Sequence, residues 1–177
     1  DDILDVARAG GAAPTPMAVP IDGAALLGRL AATIAPDAEA AGLTLVTDAP
    51  PGLPRTRCDE RRLRRILQVL VGNAVKFTPA GGHIRLEAAG DAAGGLVFRV
   101  IDTGIGMAEG DIPRAFEPFT QLESSFARRY PGSGLGLHLA RLLAETIGAV
   151  LEMESHPGRG TTATLRLPPG ITISESV

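Results

Sequence analysis

Four short motifs in this chain combine polar side chains with glycine. In chain order they are Gly72–Thr78, Asp102–Gly106, Gly132–Leu137 and Gly158–Thr162. Asp102 follows the apolar run Leu96–Ile101, which places a carboxylate at the end of a buried strand, where it can accept a hydrogen bond from an amine. Gly104 and Gly106 allow the backbone after it to approach a flat ring closely. This motif therefore predicts a contact surface for an aromatic base that carries an exocyclic amine.

The other motifs supply groups for phosphate and a cation. Asn73 and Lys76 are three residues apart on a predicted helix, so they share a face, and an Asn oxygen can ligate Mg²⁺ while a Lys neutralises phosphate. The glycines between Gly132 and Leu137 precede a predicted helix, and helix N-termini attract phosphate. Each motif has a plain structural alternative: a capping Asn73, a solvated Lys76, or a flexible helix entrance. Their joint order predicts a pocket for adenine, magnesium and three phosphates.

Hydrophobic periodicity gives the elements that must position these residues. Helices are predicted after the N-cap candidates Asp22 and Asp59, and over 135–147. Pro36 is expected to kink or restart the first helix. Strands are predicted over 43–47, 83–88, 96–101, 150–155 and 161–167. Residues 105–131 show poor periodicity, which is typical of a functional loop.

Composition narrows the class of protein. Of 177 residues, 45% are hydrophobic but only 3% are aromatic, so we expect an aliphatic core. The net charge of −3 means that the chain has no excess of basic residues, which argues against a nucleic-acid partner. The early arginines of the second helix are interpreted as a solvated face in preference to a binding patch. The lone Cys58 excludes an internal disulfide and fits a reducing, cytoplasmic compartment. The chain begins at Asp1 without Met, so we expect a fragment whose full-length protein has room for a membrane anchor upstream.

Together, the motifs resemble those of the catalytic, ATP-binding domain of sensor histidine kinases. That family lies within the superfamily of gyrase, heat-shock chaperone, histidine kinase and MutL mismatch-repair ATPases. Gly72–Thr78 resembles the N box, Asp102–Gly106 the G1 box, Phe116–Phe119 the F box, and the last two motifs the remaining glycine boxes. The resemblance implies an α+β fold, a two-layer α/β sandwich of the Bergerat type with a mixed sheet packed on three main helices.

The resemblance also implies roles for individual residues. Asn73 and Lys76 would be catalytic, with Asn73 holding Mg²⁺, and Phe116 and Phe119 would brace a mobile lid and face the dimerisation helices; core packing is the alternative for both rings. The residues that would bind ATP are Asp102, Gly104, Gly106, Arg128, Arg129, Tyr130, Gly132, Ser133, Gly134, Leu135, Gly136 and Thr161.

The implied function is that of a protein histidine kinase, in which the ATP γ-phosphoryl group passes to a histidine on an upstream dimerisation domain. The partners would be that domain, in a full-length homodimeric phosphoprotein, and a response regulator; the fragment itself is expected to be monomeric. We predict the end of a dimerisation helix and a linker over 1–20, the catalytic domain over 21–168, and a flexible tail over 169–177. A nucleotide-sensing pseudokinase module and an anti-sigma-type serine kinase are the alternatives.

Two departures from the family pattern bear on activity. Val69 stands where relatives usually carry Asn, one helical turn before Asn73, and it can neither ligate a metal nor accept a proton. A phosphoaccepting histidine is also missing, because His83, His138 and His156 all lack the acceptor context and are interpreted as structural or solvated. We therefore expect weak magnesium coupling, slow hydrolysis and no phosphorylation of the fragment itself.

Overall fold

The computed structural model describes residues 18–120 and 133–169. A five-stranded mixed sheet forms one layer. Its strands are β2 Thr44–Asp48, β4 His83–Gly90, β5 Leu96–Asp102, β6 Val150–His156 and β7 Gly160–Leu167. Their order across the sheet is β2-β4-β5-β7-β6; β2 and β4 are parallel, and the remaining neighbours are antiparallel.

Three long helices pack on one face of this sheet. They are α1 Gly23–Ala40, α2 Glu60–Phe77 and α4 Gly136–Thr146. A 3₁₀ turn, Glu109–Asp111, leads into the short helix α3, Ile112–Ala115. The predicted N-caps are confirmed: Asp22 accepts from Ala25 N at 3.0 Å, and Asp59 accepts from the first amides of α2. The two-layer α+β architecture expected from the sequence is confirmed.

Aliphatic side chains fill the space between the layers, as the composition predicts. The inward positions of β4 alternate with exposed or half-buried ones, and Leu86, Phe98 and Leu165 belong to the same buried cluster as Leu67 and Leu139. The opposite sheet face carries ion pairs, including Asp48–Arg85 and Glu152–Arg166. One sheet face thus packs on the helices, while the other carries these ion pairs and also the buried Val97 of β5.

A small second sheet was not predicted. Strand β1, Ala18–Ile21, pairs antiparallel with β3, Thr56–Asp59. Pro20, read from the sequence as part of a linker, lies in β1; a two-stranded ribbon tolerates Pro because each strand has a free edge. Strand β3 also holds the end of β7, because Thr56 Oγ1 donates to Pro168 O at 3.0 Å.

Of the two outcomes expected for Pro36, a kink or a restart of the first helix, the restart does not occur. Helix α1 continues to Ala40 with Pro36 inside it. An internal Pro removes one backbone hydrogen bond. Ile34 and Ala38 pack on the core on either side of it, and this burial holds the last turn in place.

Candidate nucleotide site

Asp102 ends β5, and its carboxylate is held by two backbone amides. Its Oδ1 accepts from Gly104 N at 2.8 Å and from Thr161 N at 3.2 Å. Among residues 18–120 and 133–169, Oδ2 has no hydrogen-bond partner. One oxygen is therefore fixed by the fold, and the other is left to accept from a ligand.

Burial raises the pKa of Asp102 above its ordinary value, and the hydrogen bonds from Gly104 N and Thr161 N oppose this change. A carboxylate removed from water in this way interacts strongly with a donor that reaches it. The site therefore favours a ligand that brings a hydrogen-bond donor to Oδ2.

Glycine is required where the loop after β5 meets the β6–β7 turn. A Cβ on Gly104 would lie 2.5 Å from Phe77 O, and Gly106 and Gly160 have φ of 60° and 87°. A Cβ on Gly106 would overlap His156 O, and one on Gly160 would overlap Asp102 O. These contacts leave no room for side chains, so the glycines allow three backbone segments to converge beside Asp102.

Ser155 is a part of this site that the sequence reasoning missed. It is buried, accepts from Met107 N at 2.9 Å, and lies 2.8 Å from Thr161 Oγ1. Its Oγ also donates to Gly160 O at 3.1 Å. Ser155 therefore ties the loop after Asp102 to β7. A polar residue just before the Pro157–Gly158 turn was the available signal, but only the tertiary pairing gives it a partner.

The C-terminal end of α2 carries the predicted cation and phosphate groups. Asn73 and Lys76 are half-buried there, and desolvation lowers the pKa of Lys76. The Lys76 Nζ lies 5.0 Å from the Phe77 ring centroid. Phe77 O accepts from Ile105 N at 3.1 Å, which joins this helix end to the loop after Asp102.

Val69 reaches the start of α4. A Cβ on Gly136 would lie 3.3 Å from Val69 Cγ1, and Val69 packs against the core. Leu135 is buried next to this glycine, while Ser133 Oγ accepts from Leu135 N at 3.3 Å. The side chain at position 69 thus lies beside the turn that was predicted to wrap phosphate.

Gly134 brings that turn against the end of the F-box segment. It has a φ of 68°, and a Cβ on it would lie 2.9 Å from Phe119 C and 3.0 Å from Thr120 O. Phe119 is 73% exposed and has a φ of 60°, whereas Phe116 is 7% exposed. Phe116 is therefore placed in the interior and Phe119 on the surface, so the two rings, predicted to act together, lie in different surroundings.

The structure brings most of the described candidate residues into one connected region. Asp102, Gly104, Gly106 and Thr161 meet directly, Phe77 links them to α2, and Val69 links α2 to α4. Arg128, Arg129, Tyr130 and Gly132 lie outside the described residues, as do 1–17 and 170–177. In the described part of the chain no group of three or more His, Cys, Asp or Glu side chains could hold a metal ion.

The sequence of residues 58–171 matches the family described as "Histidine kinase-, DNA gyrase B-, and HSP90-like ATPase". The chain belongs to this family, and the matched residues are its ATP-binding catalytic module. None of the described helices combines the length and apolarity needed to cross a membrane.

Similar curated proteins include several named histidine kinases. The chain is 46% identical over 134 residues to the "Non-motile and phage-resistance protein" of Caulobacter vibrioides, covering 74% of this chain and 16% of that protein. It is 44% identical over 114 residues to the "Circadian input-output histidine kinase CikA" of Synechococcus elongatus, covering 63% of this chain and 15% of the relative. The chain thus spans about one sixth of these two relatives.

A solved structure supports the same relation. Full-length ShkA in complex with AMPPNP aligns with a TM-score of 0.83 at 35% identity, covering 94% of this chain and 34% of that one. The mycobacterial sensor histidine kinase MprB aligns with a TM-score of 0.74 at 21% identity, covering 87% of this chain and 99% of that one. The second likeness shows the shared fold alone.

Proposed function

We propose that this chain is the ATP-binding catalytic domain of a sensor histidine kinase. It would transfer the γ-phosphoryl group of ATP to a histidine on a dimerisation domain of the same longer protein. The observation that carries the proposal is the Asp102 carboxylate, with Oδ1 fixed by two amides and Oδ2 open, in a member of an ATPase family.

Adenine recognition is assigned to the loop after β5. Asp102 Oδ2 would accept the adenine amino hydrogen, a contact that guanine cannot make because it carries a carbonyl oxygen at that position. Gly104 and Gly106 would let the backbone approach the ring, and Thr161 would support the base through its hydroxyl. The Ser155 hydrogen bonds to Met107 N, Gly160 O and Thr161 Oγ1 support this proposal because they fix the loop before a ligand binds.

Phosphate and metal binding are assigned to the ends of α2 and α4. Lys76 would neutralise phosphate, the backbone from Ser133 to Gly136 would wrap it, and Arg128 and Arg129 with Tyr130 and Gly132 would complete the contacts. Mg²⁺, when bound, would neutralise charge on the phosphate oxygens. Asn73 fits it only as a single protein ligand, because the described residues offer no acidic cluster and Mg²⁺ takes its other ligands from phosphate and water.

The phosphoryl transfer requires little covalent chemistry from the residues of this chain. The bond between the γ-phosphorus and the bridging oxygen of ADP breaks, a P–N bond to an imidazole nitrogen forms, ADP leaves, and the imidazole releases its N–H proton to water. The chain's own residues position the donor and offset its charge. A response regulator would then receive the phosphoryl group, and Phe116 and Phe119 would support the lid and the contact with the dimerisation helices. We place this domain in the cytoplasm.

The experiment uses ATP labelled at the γ-phosphate. The chain alone should bind ATP and stay unlabelled, since it carries no acceptor. Addition of the dimerisation domain of its full-length protein should give an acid-labile, base-stable phosphohistidine on that domain. Stable label on His83, His138 or His156 contradicts the proposal. So does an acid-stable phosphoester, which indicates a serine kinase, or binding without transfer, which indicates a nucleotide-sensing module.

A further inference from the structure

Phe116 is attached to α4 by two polar side chains that the site described above does not use. His138 Nδ1 lies 3.2 Å from Phe116 O, and Arg141 Nη2 lies 3.4 Å from the same oxygen. The Arg141 guanidinium carbon also lies 5.4 Å from the centroid of the Phe116 ring. A carbonyl oxygen can only accept, so His138 must carry its proton on Nδ1 to make this bond.

These side chains do not belong to the core-facing stripe of α4. Leu139, Ala140, Leu143 and Ala144 are the buried residues of this helix, whereas His138 and Arg141 are half-buried. They are three residues apart, so they project from one face and converge on one acceptor. Apolar residues could cover the Phe116 ring but would leave its carbonyl without a donor.

A second, independent contact lies at the other end of the same segment. Gly134, two residues before α4, packs on the backbone of Phe119 and Thr120 with no space for a Cβ. Phe119 has a left-handed backbone at this contact and an exposed ring. The segment from Phe116 to Thr120 is therefore joined at one end to the body of α4 and at the other to the glycine turn before it.

We propose that His138 and Arg141 are positioning residues that hold Phe116 on α4 and thereby couple the nucleotide site to the exposed ring of Phe119. The inference rests on the proposed function for one point only, namely that phosphate binds at the turn from Ser133 to Gly136. A ligand that orders this turn favours one position of Phe119. The contacts of His138 and Arg141 with Phe116 O, which form the clamp, keep the other end of the same segment fixed on α4. If nucleotide changes the affinity of a partner for the Phe119 ring by a given factor, linkage requires that this partner changes the nucleotide affinity by the same factor.

The test exploits the position of the donor atom on residue 138. In His138→Asn the side-chain nitrogen occupies nearly the place of Nδ1, whereas in His138→Gln it lies one bond further out, and His138→Leu has no donor. Loss of one such hydrogen bond should weaken AMPPNP binding, measured by calorimetry, by about 2- to 12-fold in the Leu and Gln variants. The Asn variant should stay within about 2-fold of wild type. Arg141→Gln should weaken binding, and His83→Asn, on the exposed start of β4, serves as the control.

Hydrogen exchange over residues 116–120 gives a readout that does not depend on nucleotide. Without ligand, these amides should exchange faster in His138→Leu and His138→Gln than in wild type and His138→Asn, at similar melting temperatures. Equal affinity and equal exchange in all three His138 variants would overturn the proposal. An equal loss of AMPPNP affinity in all three variants that follows a fall in melting temperature would also overturn the proposal, because a merely structural role predicts that pattern. If wild type fails to bind AMPPNP, the proposed function fails, whereas the exchange data still test the clamp.

Discussion

Replacement of Asp102 by Asn separates nucleotide recognition from folding. In wild type, Oδ1 accepts from Gly104 N and Thr161 N, and Oδ2 is open. If the Asn oxygen keeps both backbone bonds, its NH₂ group takes the place of Oδ2 and faces the adenine amino group, donor against donor. If the amide flips, the NH₂ group faces the two backbone donors instead. Either orientation loses a charge-assisted hydrogen bond.

The loss can be given a magnitude and a matched control. A hydrogen bond to a charged group contributes about 1.5–3 kcal/mol, so ATP affinity should fall roughly 10- to 150-fold by calorimetry. Asp91 is the control, because its Oδ1 also accepts two backbone amides, from Ala93 at 2.9 Å and Gly95 at 2.7 Å, in the loop before β5. Asp91→Asn should leave ATP affinity nearly unchanged.

Asp102→Asn is expected to weaken ATP binding but to gain stability relative to wild type as pH rises. The pKa of Asp102 is raised by burial above 3.8, so this carboxyl favours the folded state when protonated, and that contribution is lost as pH rises through the raised value. Asn does not ionise and has no such loss. The stability of Asp102→Asn relative to wild type, from urea unfolding, should therefore increase as pH rises across this acidic window. Unchanged ATP affinity, or equal weakening by Asp91→Asn, would refute the reasoning.

Four further predictions concern other parts of the domain. Gly160→Ala should lower the free energy of unfolding in urea by about 2 kcal/mol or more, because its Cβ meets Asp102 O. Gly158→Ala, where the Cβ has open space, should lower it by about 1 kcal/mol. Equal losses would contradict the role given to close approach. Val69→Asn should tighten Mg–ATP more than metal-free ATP in calorimetric titrations, and superimposable magnesium curves would show that position 69 does not affect the metal. Burial raises the pKa of the Cys58 thiol to about 11 from 9.0, so stability should fall as pH rises through about 11, and a thiol reagent at pH 8 should react only on unfolding. Thr78→Val should be neutral or stabilising by thermal denaturation, because the buried Thr78 Oγ1 has no partner among the described residues, and a loss above about 1 kcal/mol would reveal a bond to it.

Local patterns were enough to predict most elements of the fold. Asp22 and Asp59 cap the helices that the apolar spacing predicted, and β4, β5 and β7 lie within one or two residues of the predicted strand ranges. The β1–β3 ribbon was missed because each strand is short and its partner is distant along the chain. Pairing of that kind depends on tertiary context more than on intrinsic propensity.

The candidate site was predictable as a set of residue types, but its contacts were not. The motif spacing and the family resemblance named Asp102 and Thr161, whereas neither showed that Thr161 N would donate to Asp102 Oδ1. Ser155 gave only a weak signal, as a polar residue before a turn, because its three hydrogen bonds all arise where a loop meets a hairpin. The domain limits stay predictions, as do the assigned ligand roles, which the binding and labelling experiments above test.

The small ribbon gives the domain a particular mechanical property. Strand β3 pairs with β1, where the described chain enters, and its Thr56 holds Pro168, where β7 ends. The first and the last strand of the described chain therefore both contact β3. Tension applied between flanking segments would act on the β1–β3 pair at one end and on β7, which is paired on both sides, at the other. Such closely spaced ends also suit the domain to circular permutation and to insertion between other modules.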